Sequence, residues 1–160
     1  MNKNNNKILI FILLLLLGSI LLAFYIEYIL GHKPCRLCIY QRYPYYVSIL
    51  LILNILVINK YPKKTLFGLS IISFIGASIA FYHFGIEQGF INESLVCETQ
   101  KLGVNPTKEE ILMQLSKNTI SCRDITFRVL GFSLASINTV FSLVLSYIFF
   151  KLFKNYEINR

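Results

Sequence analysis

Residues 8–30 read ILIFILLLLLGSILLAFYIEYIL, and the fold turns on how that run is taken. It is nearly unbroken apolar sequence, long enough to cross a bilayer as one helix. A secretory signal is the competing reading. Its apolar region would be shorter and would end in a small-residue cleavage site. This run continues well past that length, so an uncleaved first span is expected. Glu27 lies near its far end, where a carboxylate reaches the headgroups, and that reading is preferred to a buried functional acid.

Three more apolar blocks follow. The second span is expected over about 40–59, with Pro44 in its first turns, where proline costs less. Asn59 to Lys64 reads as a tight polar turn. The third span is expected over about 65–84, with Ser73, Gly76, Ala77 and Ala80 as a small-residue face for close helix packing and His83 at its end. The fourth is expected over about 129–150, with Gly131, Ala135, Ser142 and Ser146 near packing spacing and a basic tail behind it. Loops are expected over about 31–39 and 85–128. In the longer loop, Thr107-Lys108-Glu109-Glu110 has capping-box form, and Ile111, Leu112 and Leu115 form an apolar stripe. A short amphipathic helix lying along the membrane follows from that pattern.

The whole composition agrees. Hydrophobic residues make up 55% of the 160 positions and charged residues 15%, gathered between the apolar blocks. The fold class is therefore all-α: one domain, an integral membrane four-helix bundle with a long polar loop. A net charge of +8 raises nucleic acid as a partner. The distribution excludes it, because no basic stripe is interleaved with aromatics and the excess sits beside the spans.

Lysine and arginine set the orientation. One side holds Lys3, Lys7, Lys60, Lys63, Lys64, Lys151, Lys154 and Arg160 against Glu157. The other holds eight basic residues against seven acids. The first side is expected to be cytoplasmic, with both termini. All four cysteines, Cys35, Cys38, Cys97 and Cys122, then face outward in two loops, where disulfides persist.

Two inert structural disulfides are the plain reading of these cysteines. Two features of Cys35-Arg36-Leu37-Cys38-Ile39-Tyr40-Gln41-Arg42 weaken it. A Cys-x-x-Cys ring gains little loop entropy. On a helix Cys35 and Cys38 share a face with Arg42 one turn beyond, and basic neighbours near a helix start favour a thiolate. Zinc is disfavoured, since Cys97 and Cys122 are not paired as a knuckle, so no metal site is expected. Haem attachment requires His where Ile39 stands. The arrangement suggests a relay instead. Cys97 and Cys122 are open to a soluble partner, Cys35 and Cys38 to a lipid-soluble acceptor, with thiol–disulfide exchange between the pairs. Arg42 as a snorkelling residue and His83 as an interfacial one remain the alternatives at those two positions.

The octapeptide from Cys35 to Arg42 resembles the signature of the DsbB family, membrane enzymes that reoxidise the periplasmic thiol oxidase DsbA. Tyr82-His83 with Ile86-Glu87-Gln88-Gly89, and Cys122 leading into Leu130-Gly131-Phe132-Ser133-Leu134, are similar too. The resemblance implies a bacterial inner-membrane protein-disulfide oxidoreductase using a membrane quinone, ubiquinone ahead of menaquinone. It implies that Cys35 and Cys38 are the quinone-side pair and that Cys97 and Cys122 face a DsbA-like thioredoxin-fold partner. Arg42 would contact the quinone and favour the Cys38 thiolate, with His83 nearby. The chain departs from the family at Phe127, often Trp, and near Ala135, often Pro. A vitamin K epoxide reductase-like enzyme, a non-catalytic subunit with two structural disulfides, and a CcdA-type transporter are the weaker readings.

Overall fold

A computed structural model gives the architecture for residues 3–58, 61–92, 108, 122, 128–129 and 132–158. Helix α1 (Lys3–Phe24) passes into a π-helical turn, Tyr25–Ile29. Leu30 N–H closes that turn on Tyr25 O at 3.2 Å, and Gly31 then turns the chain at a φ of +73°. A five-residue helix, α2 (Arg36–Tyr40), leads to α3 (Tyr43–Val57). Helix α4 spans Pro62–Glu87. Strands β1 (Arg128–Val129) and β2 (Phe132–Ser133) pair antiparallel before α5 (Leu134–Ile158).

The protein is mostly helical, and three stretches are long and apolar enough to cross a membrane: Asn5–Ile29, Pro62–Glu87 and Leu134–Tyr156. The expected second span, about 40–59, is shorter here. Helix α3 has 15 residues, about 22 Å of rise against a hydrocarbon core of ~30 Å. Pro44 is the reason. In a continuous helix its ring would strike the carbonyl of Tyr40 four residues back, so the chain breaks at Gln41–Arg42 and Pro44 sits at the second position of α3.

Other bounds shift as well. Helix α4 begins before residue 65 and runs past residue 84, so His83 lies within it rather than at its end. The last helix starts at Leu134, not near 129, because a two-residue ladder precedes it, a small departure from an all-α chain. It then continues through Lys151 and Lys154, which the sequence reading left in a tail. Cys97 and the loop helix lie outside the described residues, apart from Lys108, which is helical.

Packing divides the molecule by height. At one end Leu9, Ile12 and Leu16 of α1 meet Ile52 and Ile55 of α3, Leu66 and Leu69 of α4, and Leu145, Phe149 and Leu152 of α5. At the other, Cys35 and Leu37 pack with Ile86 and Cys122. Between the ends, the small face of α4 is buried as expected: Ser73, Gly76, Ala77 and Ala80. Ser70 and Ser146 each donate to the other's carbonyl, at 3.1 and 3.0 Å, fastening α4 to α5. A side chain at Gly76 would meet Pro44 Cβ at 3.2 Å, so glycine lets α3 approach α4.

Candidate functional site

Cys35 is the N-cap of α2. Its extended backbone ends the loop, and its Sγ accepts the N–H of Cys38 at 3.2 Å, a role usually taken by an oxygen. The cap brings the two sulfurs to 2.7 Å, and both are free thiols. Cys35 is buried and Cys38 half-buried. The Cys38 thiol, hydrogen-bonded to Cys35, lowers Cys35 to about 5, with burial opposing and the His83 hydrogen bond assisting. The same hydrogen bond, followed by burial and the charge of Cys35, pushes Cys38 upward. Cys35 is therefore the thiolate of the reduced pair and Cys38 its proton donor. The sequence reading placed the thiolate at Cys38.

His83 joins this pair from α4. Its Nε2 lies 3.5 Å from Cys35 Sγ and 3.7 Å from Glu87 Oε1, one turn further on. Cys122 is buried and disulfide-bonded. Its sulfur, the Cys35 sulfur and a His83 ring nitrogen all lie within 4.8 Å of one another. Three soft donors so close resemble a metal cluster, but a sulfur held in a disulfide is not a thiolate ligand. The closeness instead sets a disulfide beside a thiolate, the arrangement that exchange requires.

Arg42 does not pair with Cys38. Its Nη1 donates to Glu27 Oε2 at 2.7 Å, and its guanidinium lies 5.2 Å from the centre of the Phe24 ring. Glu27, expected to reach the headgroups, turns inward from the π-helical turn to make this ion pair. Both residues line a cavity of about 320 Å³ between the far half of α1 and the start of α5. Cys35, Cys38, Gln41 and His83 share its wall, and Leu22, Ile26, Ile137 and Phe141 supply apolar lining. Leu22 and Ile137 are exposed on the outer surface, so the cavity reaches the lipid-facing side.

A polar chain closes the wall. Tyr45 donates its hydroxyl hydrogen to Asn138 Oδ1, Asn138 Nδ2 donates to Gln41 Oε1 at 2.6 Å, and Gln41 Nε2 meets His83 Nδ1 at 2.8 Å. The sequence reading gave none of Tyr45, Gln41 and Asn138 a role. The available signal was that polar side chains inside apolar helices are costly and are kept for a reason.

Fold and site together define a multi-pass membrane protein that carries out thiol–disulfide chemistry. The chain matches the family described as disulfide bond formation protein DsbB over residues 5–152, and it belongs to that family. It is 30% identical over 145 residues to the uncharacterized protein RP370 of Rickettsia prowazekii, covering 88% of this chain and 81% of that one. It is 35% identical over 116 residues to the SPbeta prophage-derived disulfide bond formation protein B of Bacillus subtilis, covering 72% of this chain and 63% of that one. No solved structure is a significant match. The protein is thus a disulfide-bond-forming membrane protein.

Proposed function

We propose that the protein oxidises the dithiol of a DsbA-like thioredoxin-fold partner in the bacterial periplasm and passes the electrons to a membrane quinone. The observation that carries this reading is the Cys122 sulfur within 4.8 Å of Cys35, whose neighbour Cys38 lines the cavity. In this reading the stretch of about 40–59, centred on α3, is the second of four spans in a single-domain bundle in the inner membrane, with both termini cytoplasmic and the 31–39 and 85–128 loops periplasmic.

The sulfur steps balance as exchanges. A partner thiolate attacks Cys97 in a Cys97–Cys122 disulfide, and Cys122 leaves as a thiolate. The partner's second thiolate resolves the mixed disulfide, releasing Cys97 and an oxidised partner. Cys122 attacks Cys35 in the oxidised Cys35–Cys38 pair and frees Cys38. Cys97 then attacks Cys122, restoring the loop disulfide and freeing Cys35. Cys35 and Cys38 are left reduced, and their return to a disulfide gives up two electrons and two protons.

A quinone bound in the cavity supplies the two-electron, two-proton acceptor. The cavity fits such a ring: its volume is at the lower end of small-molecule sites, ~300–1,000 Å³, its lining is largely apolar, and Arg42 stands at its wall. The Arg42 guanidinium is the donor available to a quinone carbonyl, with Glu27 fixing its position. Ubiquinone is placed ahead of menaquinone. Energetics favour an acceptor of this kind. The DsbA–DsbB–quinone route is the established way in which the bacterial periplasm is kept oxidising, and DsbA sits at about −120 mV. Cytosolic glutathione, at roughly −220 to −260 mV, lies about 100 mV uphill or more.

The test is an anaerobic assay with purified protein in lipid vesicles, a reduced thioredoxin-fold partner and quinone. One quinone should be reduced for each partner dithiol oxidised, and Cys38→Ala should abolish the coupling. Partner oxidation that proceeds equally without quinone, or in the Cys38→Ala protein, overturns the reading.

A further inference from the structure

The polar chain along the cavity wall has a direction. Tyr45 donates to Asn138 Oδ1, so the Asn138 amide nitrogen points to Gln41 and donates to its Oε1 at 2.6 Å. Gln41 therefore presents its Nε2, a donor only, to His83 Nδ1 at 2.8 Å. A ring nitrogen that accepts a hydrogen bond carries no proton, so the imidazole proton sits on Nε2. On that side lie the Cys35 sulfur at 3.5 Å and the Glu87 carboxylate at 3.7 Å, and the backbone of Cys122 is a further hydrogen-bond partner of the ring.

We infer that Gln41 and Asn138 are positioning residues that hold His83 as its Nε2–H tautomer and aim that proton at the Cys35 sulfur. A proton on Nδ1 would confront the N–H of Gln41, so this hydrogen-bond pattern leaves Nδ1 bare. His83 thus donates a hydrogen bond to the Cys35 thiolate from Nε2. The chain starts at Tyr45 on α3, passes through Asn138 on α5 and Gln41 between α2 and α3, and ends on α4, so the register of these helices reaches the sulfur through two amides. The inference rests on the proposed function only in that Cys35 is there released as a thiolate.

Two measurements on the full chain test it, and neither involves quinone or partner. The first is the ¹⁵N spectrum of labelled histidine in the reduced protein in bilayers at neutral pH. The chain has two histidines, and His83→Gln assigns them by difference. His83 should show a bare Nδ1 and a protonated Nε2. In Gln41→Glu, a carboxylate facing Nδ1 accepts instead of donating, so Nδ1 should become protonated. A protonated Nδ1 in the parent protein, or the same Nδ1 signal in both proteins, overturns the inference.

The second measurement covers the case in which Gln41→Glu fails to fold. Cys35 is titrated by thiolate absorbance in a protein carrying Cys38→Ser, Cys97→Ser and Cys122→Ser, with and without Gln41→Leu. Glu87 faces the sulfur from α4, and Glu27, His32, Lys33 and Arg42 line the same cavity. All five are unchanged between the two proteins. Gln41→Leu should leave roughly tenfold less thiolate at any pH below the midpoint. An unmoved titration curve removes the positioning role. If both results hold while quinone-coupled oxidation fails, the proposed function falls alone.

Discussion

Arg42 sits between a carboxylate it neutralises and a cavity it faces, and those two roles are separable. Arg42→Ala removes a charge-assisted donor of about 1.5–3 kcal/mol, so KM for quinone should rise roughly tenfold to a hundredfold. The same change strands Glu27, half-buried, without its cation. The double variant Arg42→Ala/Glu27→Gln removes that stranded charge. It should keep the raised KM, while Glu27→Gln alone should raise KM only a few-fold. A double variant that recovers the parent KM would reduce Arg42 to a counter-ion for Glu27. At Cys35 the depressed pKa gives a signed prediction. Thiolate should persist as pH falls from the ordinary thiol value of 9.0 and be lost only near pH 5, while Cys38 stays protonated throughout. Alkylation of the reduced protein at pH 6–8, mapped by mass spectrometry, should modify Cys35 ahead of Cys38. Preferential modification of Cys38 would reverse the assignment of the thiolate. The Cys-x-x-Cys pair and Arg42 were legible in the sequence because their spacing is local. The Glu27–Arg42 pair, 15 positions apart, and the Gln41–Asn138 bond, 97 apart, are set by helix packing, which no local pattern encodes.

At the scale of elements, hydropathy located the helices and misjudged their ends. An apolar run marks contact with lipid, whereas a helix ends where its backbone hydrogen bonds do. Lys63 and Lys64 thus begin α4 and Lys151 and Lys154 continue α5, although neither pair is apolar. Pro44 was expected to be tolerated near a helix start, but it also separates α2 from α3 and so frees Gln41 and Arg42 to turn toward the cavity. The small-residue face of α4 was legible because its spacing is helical, and its partner was not. That partner is the Pro44 ring, with Cβ and Cγ at 3.2 and 3.3 Å from a side chain built at Gly76 and Ser142 Oγ at 3.8 Å. A proline ring cannot swing aside. Gly76→Ala should cost about 1 kcal/mol and Gly76→Leu up to about 3 kcal/mol, read by denaturation in mixed micelles. Because Pro44 is two residues from Arg42, Gly76→Leu should also raise KM for quinone. Unchanged stability in Gly76→Leu would mean that α3 and α4 do not meet as closely as this geometry requires.

Across the whole molecule, the two ends differ in the groups they carry. The large aliphatic core lies at the end that holds the start of α4 and the last turns of α5, where Lys63 sits 5.6 Å from the Phe153 ring. Cys35, Cys38, His83 and Cys122 gather at the opposite end. Lysine asymmetry in the sequence separated the same two groups of residues, because charge bias follows which end faces the cytoplasm. The packing needed to bring the cysteines into contact follows from the helix register and was not available to that argument. An orientation with the lysine end inward predicts opposite labelling at two positions. Lys108 and Lys154 are both exposed, so each tolerates replacement by cysteine in a protein whose four native cysteines are serine. A membrane-impermeant maleimide applied to intact cells should label Lys108→Cys and leave Lys154→Cys unmodified. After inversion of the membranes the pattern should reverse. Labelling of Lys154→Cys from outside would turn the molecule over and place the cysteine end in a reducing cytoplasm, where a protein working to form disulfides in partners would be opposed by the thiol pool.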